Sequence, residues 1–391
     1  MKSNWIIKKM PEVVKWGSGG TPKATVKEYY ENGDIPWLII GDLNDEIVIT
    51  SKTKITKLGL ENSSAKMISK GTLLVAMYGS IGKLGITGIE CCTNQAIAYA
   101  KELHGVTTKF MYYQMKLLKP NLISMGKGGT QKNISQTVLN SLDVIVPPIE
   151  EQQCIVAKIE ELFSKLDKGV EELKKIKEQL KIYRQAVLKE AFKKCDAEKR
   201  VVEVCEHVTD GDHMPPPKAD KGIPFIMISN IKNNTIDFEN TNFVQEGYYN
   251  NIGNKRTPQI GDVLYTVTGS YGIPVLIDFN KKFCFQRHIA LLRPNNLVEQ
   301  KFLYYAMQTP DVYQQATKRA TGTAQKTVGL AVLRDIKIPY ISKELQRNIV
   351  CDVESKLSVC DKIEQTVSES LQKAESLRQS ILKQAFEGKL V

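Results

Sequence analysis

The chain has 391 residues, 54 Lys and Arg against 43 Asp and Glu, and a formal net charge of +11. About 150 residues per domain gives room for two or three domains with ample cores, and 42% hydrophobic with 25% charged residues excludes wholesale disorder. No apolar run reaches the roughly 18 residues of a membrane span, Met1 to Glu12 carry no secretion signature, and eight cysteines without a CxxC pair exclude a disulfide scaffold or a structural zinc site. A cytoplasmic, reduced, basic protein that binds no metal is expected.

The elements follow in chain order. Gly17-Ser18-Gly19-Gly20-Thr21-Pro22-Lys23 forms a glycine-rich opening loop. Gly71 to Tyr78 is an apolar run that turns at Gly79-Ser80-Ile81-Gly82 and returns, as a hairpin does. Cys92-Thr93-Asn94-Gln95 lies at a strand edge, Phe110 to Leu118 reads as helix, and the polar loop Gly128 to Asn133 leads into a helical stretch from Ile134 to Leu142. A long amphipathic helix is then predicted over 150–194. The second half repeats this succession: Gly261 to Thr268 with the turn Gly269-Ser270-Tyr271-Gly272, a strand edge at Phe285-Gln286-Arg287-His288, a helix over Phe302 to Met307, the loop Gly322 to Thr327, and a second long helix.

The repeat is not chance. Leu139 to Asp167 and Leu333 to Asp361 match without a gap at an offset of 194, and Arg184-Gln185 and Ala191-Phe192 meet Arg378-Gln379 and Ala385-Phe386 at the same offset. Earlier segments match at offsets of 188 to 190, as loops of changing length would give. The chain is a tandem duplication of an α+β unit.

The tightly kept part carries a heptad seam. In the first copy Ile155, Ile159, Leu162, Leu166, Leu173, Ile176 and Leu180 fall on a seam of spacings 3 and 4 that only Gly169 interrupts; in the second, Ile349, Val353, Cys360, Ile363, Val367, Leu377 and Ile381 fall on the same seam, weakened at Lys356 and Ser370. The first helix, over 150–194, would be about 66 Å long; neither helix can bury its stripe alone, so the two are expected to pack on each other.

Ten of the eleven net positive charges fall on the two globular blocks rather than the helices. A polyanionic partner would therefore contact those blocks. Catalytic signatures fail in detail. Gly79-Ser80-Ile81-Gly82-Lys83 resembles a phosphate loop, but Met77 holds the first-glycine position and Leu84 follows the lysine. Asp352, Glu354 and Lys356 imitate a nuclease set but share one helix. No catalytic residue is assigned.

Polar residues beside the glycines remain as candidates for a nucleic-acid surface: Thr21, Lys23, Ser80, Lys83, Asn94, Gln95, Lys127, Thr130, Gln131 and Lys132 in the first copy, and His213, Lys218, Ser270, Tyr271, Arg287, His288, Thr323, Gln325 and Lys326 in the second. Asn and Gln can pair with adenine, and Arg with guanine, in a major groove. The free N–H groups at the start of the 134–142 helix, together with Lys132, are expected to hold a phosphate.

On Gly19-Gly20-Thr21-Pro22, Ile35-Pro36-Trp37, Gly79-Ser80-Ile81-Gly82, Asn94-Gln95-Ala96-Ile97, Gly129-Thr130-Gln131, Val146-Pro147-Pro148 with Glu151-Gln152, and Arg378-Gln379 with Ala385-Phe386, the whole chain resembles the specificity subunits of type I restriction–modification systems. The second copy departs at Gly211-Asp212-His213 and at Gln286-Arg287-His288. The resemblance implies a recognition domain over 1–147, a first spacer helix over 148–196, a second recognition domain over 197–341 and a second helix over 342–391, the helices antiparallel. It implies a non-catalytic, host-defence protein in which each domain reads half of a split, asymmetric duplex DNA site. The helices would set the gap and dock two modification subunits; two motor-nuclease subunits would join for cleavage. S-adenosylmethionine, ATP and magnesium would sit on those partners, and no cofactor on this chain. A coiled-coil adaptor that binds only protein, and a stand-alone methyltransferase or nuclease, are the alternatives.

Overall fold

A computed structural model describes residues 4–129, 131–214 and 216–390. The chain divides into two compact units, 1–173 with 369–391, and 174–368.

In the first unit the strand Leu73–Ala76 is buried along its length. Side chains alternate across a strand, and Leu73 and Val75 enter one core while Leu74 and Ala76 enter another. A strand covered on both faces needs an unbroken apolar run, which the sequence supplies. It pairs antiparallel with Leu84–Thr87, closing the expected hairpin, and with Ile97–Leu103. Val14–Ser18 and Ile47–Val48 complete a five-stranded sheet. A smaller sheet joins Thr53–Ile55, Ile35–Leu38 and Cys92–Thr93, the last two parallel. The helix Thr108–Met125 packs beneath.

The second unit repeats the plan. Val263–Thr266 lies between Ile289–Pro294 and Pro274–Leu276, with Cys205–Asp210 at the edge. Its side chains alternate between two cores in the same way, Val263 and Tyr265 into one and Leu264 into the other. Asn242–Val244, Ile223–Ile226 and Cys284–Phe285 form the small sheet. Below them the single helix of the first unit is replaced by two, Gln300–Ala306 and Pro310–Arg319, separated where Pro310 opens the second. The sequence pattern marks only the first, over Phe302 to Met307.

The long helices run Ile149–Phe192 and Lys343–Phe386. The first unit is closed by Ile155, Ile159 and Phe163 from the start of one and Ile381, Leu382, Ala385 and Phe386 from the end of the other. The second is closed the opposite way, by Leu188, Ala191 and Phe192 with Ile349, Val350 and Val353. Within each unit the two helix segments therefore pack antiparallel, as expected. Two matched ring contacts seal the arrangement: Phe386 meets Phe110 at 5.1 Å and Phe192 meets Phe302 at 5.0 Å.

Along the seam Ile155, Ile159, Leu180, Ile349, Val353, Val367 and Ile381 are buried, and Leu162, Leu166 and Leu173 partly so. Ile176, Ile363 and Leu377 are exposed, Leu377 to 49%. The second helix buries Cys360, as expected, and also Ala374, which stand seven residues either side of Val367. At each of these steps the small side chain occupies the seam and the large one beside it faces outward.

Two reciprocal ion pairs flank the seam. Arg184 reaches Asp361 at 2.6 Å and Glu364 at 2.9 Å, while Arg378 pairs with Asp167 and lies over the Phe163 ring at 5.2 Å. Arg184 matches Arg378, and Asp167 matches Asp361, at the offset of 194. Buried Gln152 and Gln346 match too. Each accepts from one backbone N–H, of Thr107 or Glu299, and donates to two carbonyls, of Gly105 and Pro147 or of Leu297 and Ile341. Among the described residues no helix is long and apolar enough to cross a membrane.

Candidate nucleic-acid interface

The glycine loops of each unit are joined into one edge by backbone hydrogen bonds. In the first unit the Gly20 N–H donates to the Thr93 carbonyl at 2.9 Å, Met77 to Ala96 at 2.8 Å, Gly79 to Lys132 at 3.1 Å, and Ile134 to Met77 at 2.9 Å. In the second, Asp212 donates to Phe285 at 3.1 Å, Val267 to His288 at 2.9 Å, Gly269 to Lys326 at 2.9 Å, and Val328 to Val267 at 2.8 Å. Four bonds recur at equivalent positions. Side chains far apart in sequence are thereby held along one backbone frame, and the frame is the same in both copies.

Glycine is required where these segments touch. A Cβ on Gly19 would lie 2.0 Å from the Thr93 carbonyl oxygen, and one on Gly211 2.0 Å from that of Phe285. Only hydrogen fits there, so the opening loop lies flush against the strand end. Gly128 and Gly322 have φ of 130° and 105° and close small loops through paired bonds between Lys127 and Asn133, or Thr321 and Thr327.

The frame corrects the expected phosphate cradle. The helix begins only at Gln136, spans five residues, and its Ser135 cap accepts from the Val138 N–H. Lys132 stands in the loop, three residues before that cap. What surrounds Lys132 is a cleft of about 550 Å³ shared with Ser80, Lys83, Lys119 and Gln131. Lys119 is paired with Asp45 at 3.1 Å, and Lys83 reaches the Ile40 carbonyl at 3.4 Å. Three lysines face one carboxylate, so the cleft carries net positive charge and suits an anion. Lys119 was missed by sequence because it lies inside the helix Thr108–Met125, whose loop-facing end only the fold reveals.

Thr21, Lys23, Ser80, Gln95, Lys127, Gln131 and Lys132 are exposed, and Asn94 half-buried. Thr130 lies outside the described residues. The Thr21 hydroxyl donates to the Gln95 side-chain carbonyl. In the second unit His213, Lys218, Ser270, Arg287, Thr323, Gln325 and Lys326 are exposed and His288 is half-buried. Tyr271 is turned inward: its hydroxyl donates to Thr317 at 3.1 Å and its ring stacks on Tyr313 at 5.6 Å. A cleft of about 350 Å³ beside this edge has an apolar floor at Phe225 and Phe243 and a polar rim of His213, Lys218, Arg287 and His288.

Two carboxylates missed by sequence order this rim. Asp210 holds His213 at 2.9 Å, Asp212 accepts from the Tyr248 hydroxyl, and Arg256 lies 3.7 and 3.6 Å from the two. Burial and this hydrogen bond push the Tyr248 hydroxyl well above its ordinary pKa. Burial, assisted by Arg287, lowers that of His288. Asp352 pairs with Lys356 on one helix face at 2.9 Å and Glu354 with Lys301 at 2.7 Å, so that trio is ordinary surface pairing.

A model of the type I restriction modification DNA specificity domain matches residues 2–181 and 197–373. The specificity subunit of type I restriction enzyme MjaIX of Methanocaldococcus jannaschii is 30% identical over 44% of this chain, which spans 40% of that relative. The MjaVIII specificity subunit of the same organism is 22% identical over 99% of this chain and 93% of its own. A solved structure described for the complex assembly and conformational transition of a type I R-M system aligns over 100% of this chain and 99% of its own, with a TM-score of 0.76 and 18% identity.

Proposed function

The chain belongs to the type I restriction modification DNA specificity family, and from that premise we propose that it is the sequence-reading subunit of a type I complex, with one reader in each unit. Its part is recognition rather than catalysis. It acts on duplex DNA together with the other subunits of such a complex. Each glycine-framed edge lies in a major groove and reads one half of a split, asymmetric site. Lys132, Lys326 and their basic neighbours hold phosphates without regard to sequence, and exposed polar side chains on the frame choose the bases.

One observation carries this reading. Four equivalent backbone bonds build the same edge twice, yet the side chains they display differ: Gly20, Thr21 and Gln95 on one, Asp212, His213 and Arg287 on the other. A protein that needed two identical contacts would gain nothing from that difference, whereas two readers of unlike half-sites require it.

The long helices set the unread spacer between the half-sites, and two modification subunits dock along them. Two motor-nuclease subunits complete the cleavage assembly. Those partners hold S-adenosylmethionine, ATP and magnesium, this chain holds no cofactor, and the assembly works in the cytoplasm. Binding of the chain, assembled with modification subunits, to a panel of duplexes tests the reading. Tight, salt-sensitive binding to one split sequence over scrambled competitors is expected; equal affinity for every duplex contradicts it.

A further inference from the structure

Resting on the two-reader function above, we infer that one matched pair of side chains, Gln95 and Arg287, fixes one base at the equivalent position of each half-site. Gln95 selects adenine and Arg287 selects guanine. The two occupy the same place on the frame. Each is the second residue after a carbonyl, of Thr93 or Phe285, that receives the opening loop, and each lies inside a tight turn. The turns are closed by Ile97 N–H to Asn94 at 3.3 Å and by Ile289 N–H to Gln286 at 3.1 Å.

The neighbours in that turn are otherwise engaged. The Asn94 side chain accepts from the Ala96 N–H at 3.2 Å. Ala96 is buried and His288 half-buried, whereas Gln95 and Arg287 are both exposed. Within each turn the first of the two central residues is the one displayed.

Each displayed group is ready for an unlike base edge. The Thr21 hydroxyl fixes the Gln95 carbonyl oxygen, which keeps a second lone pair, and the amide N–H2 has no partner among the described residues. A donor and an acceptor side by side match N7 and the amino group of adenine. Around Arg287 the carboxylates are taken: Asp210 by His213 and Arg256, Asp212 by Tyr248 and Arg256. The Arg287 guanidinium pairs with no described residue, so its two parallel donors remain for N7 and O6 of guanine.

The test uses the complete modification complex, whose methylated motif is read by single-molecule sequencing. Arg287→Gln should convert a guanine preference to adenine at one position of one half-site, by at least about tenfold, and leave the other half unchanged. Gln95→Arg should make the converse change at the equivalent position of the other half, and Arg287→Ala should relax its position to any base. The untouched half-site shows in each case that the chain is folded. Should a variant abolish methylation, the complex's affinity for duplexes carrying each base at that position gives the same comparison. An unaltered motif in Arg287→Ala and Gln95→Ala, or equal weakening toward all bases, would overturn the assignment. A wild-type complex that yields no split motif overturns the two-reader function itself, and this pairing with it.

Discussion

Gln152 shows how a single buried amide can bind a unit to its helix. Its carbonyl accepts one backbone N–H and its N–H2 satisfies two carbonyls, all away from water. Gln152→Ala leaves three backbone groups without partners and should destabilise the first unit by about 2–3 kcal/mol, seen in chemical denaturation; Gln152→Glu should not rescue it, because a carboxylate cannot donate. Gly19→Ala should act locally instead. Its methyl group would displace the opening loop from Thr93 and abolish selectivity in one half-site while preserving the other. At this scale the sequence revealed residue types well. It placed Gln152 in a kept motif and Gln95 beside a glycine-framed edge. It could not show that Tyr271 packs inward on Tyr313, that Asp212 is held by Tyr248 and Arg256, or that Lys119 reaches the Lys132 cleft, because each depends on contacts made between distant parts of the chain. A titration offers a further check. Burial and then the Arg287 charge lower the His288 pKa, so Arg287→Gln should raise it, as followed by NMR, and extend its protonated form to higher pH.

Among the elements, the long helices were the most legible, since their period repeats over 44 residues each. The strands Leu73–Ala76 and Val263–Thr266 were legible for a different reason: burial on both faces demands a continuous apolar run. The pattern misled where size and position conflict. Leu377 extends the 3 and 4 spacing, but Ala374 fills the seam and Leu377 faces outward. Short elements were lost for want of period, as with Pro310–Arg319 and the late start of the helix at Gln136. The carboxyl ends of the long helices should matter most to stability. Phe386→Ala removes a ring buried against Phe110 and should cost about 3–5 kcal/mol. Arg184→Ala breaks a largely solvent-screened pair and should cost about 1 kcal/mol or less.

For the whole molecule, duplication explains both sameness and difference. The kept helices, the reciprocal Arg–Asp pairs and the matched glutamines build one scaffold twice, and the divergent blocks carry the surplus positive charge. Under the proposed function, inserting one helical turn in both long helices, about 5.4 Å of rise, should lengthen the unread spacer and leave the bases read unchanged. Lys132→Ala with Lys326→Ala should weaken binding to all duplexes alike and flatten its salt dependence by about one unit of slope per lysine. The most direct test of the central claim is single-molecule methylation sequencing of DNA from the source strain, with the gene for this chain present or deleted. Two unlike readers predict that one split, asymmetric methyladenine motif disappears with the gene. Methylation that is unchanged by the deletion would contradict the account.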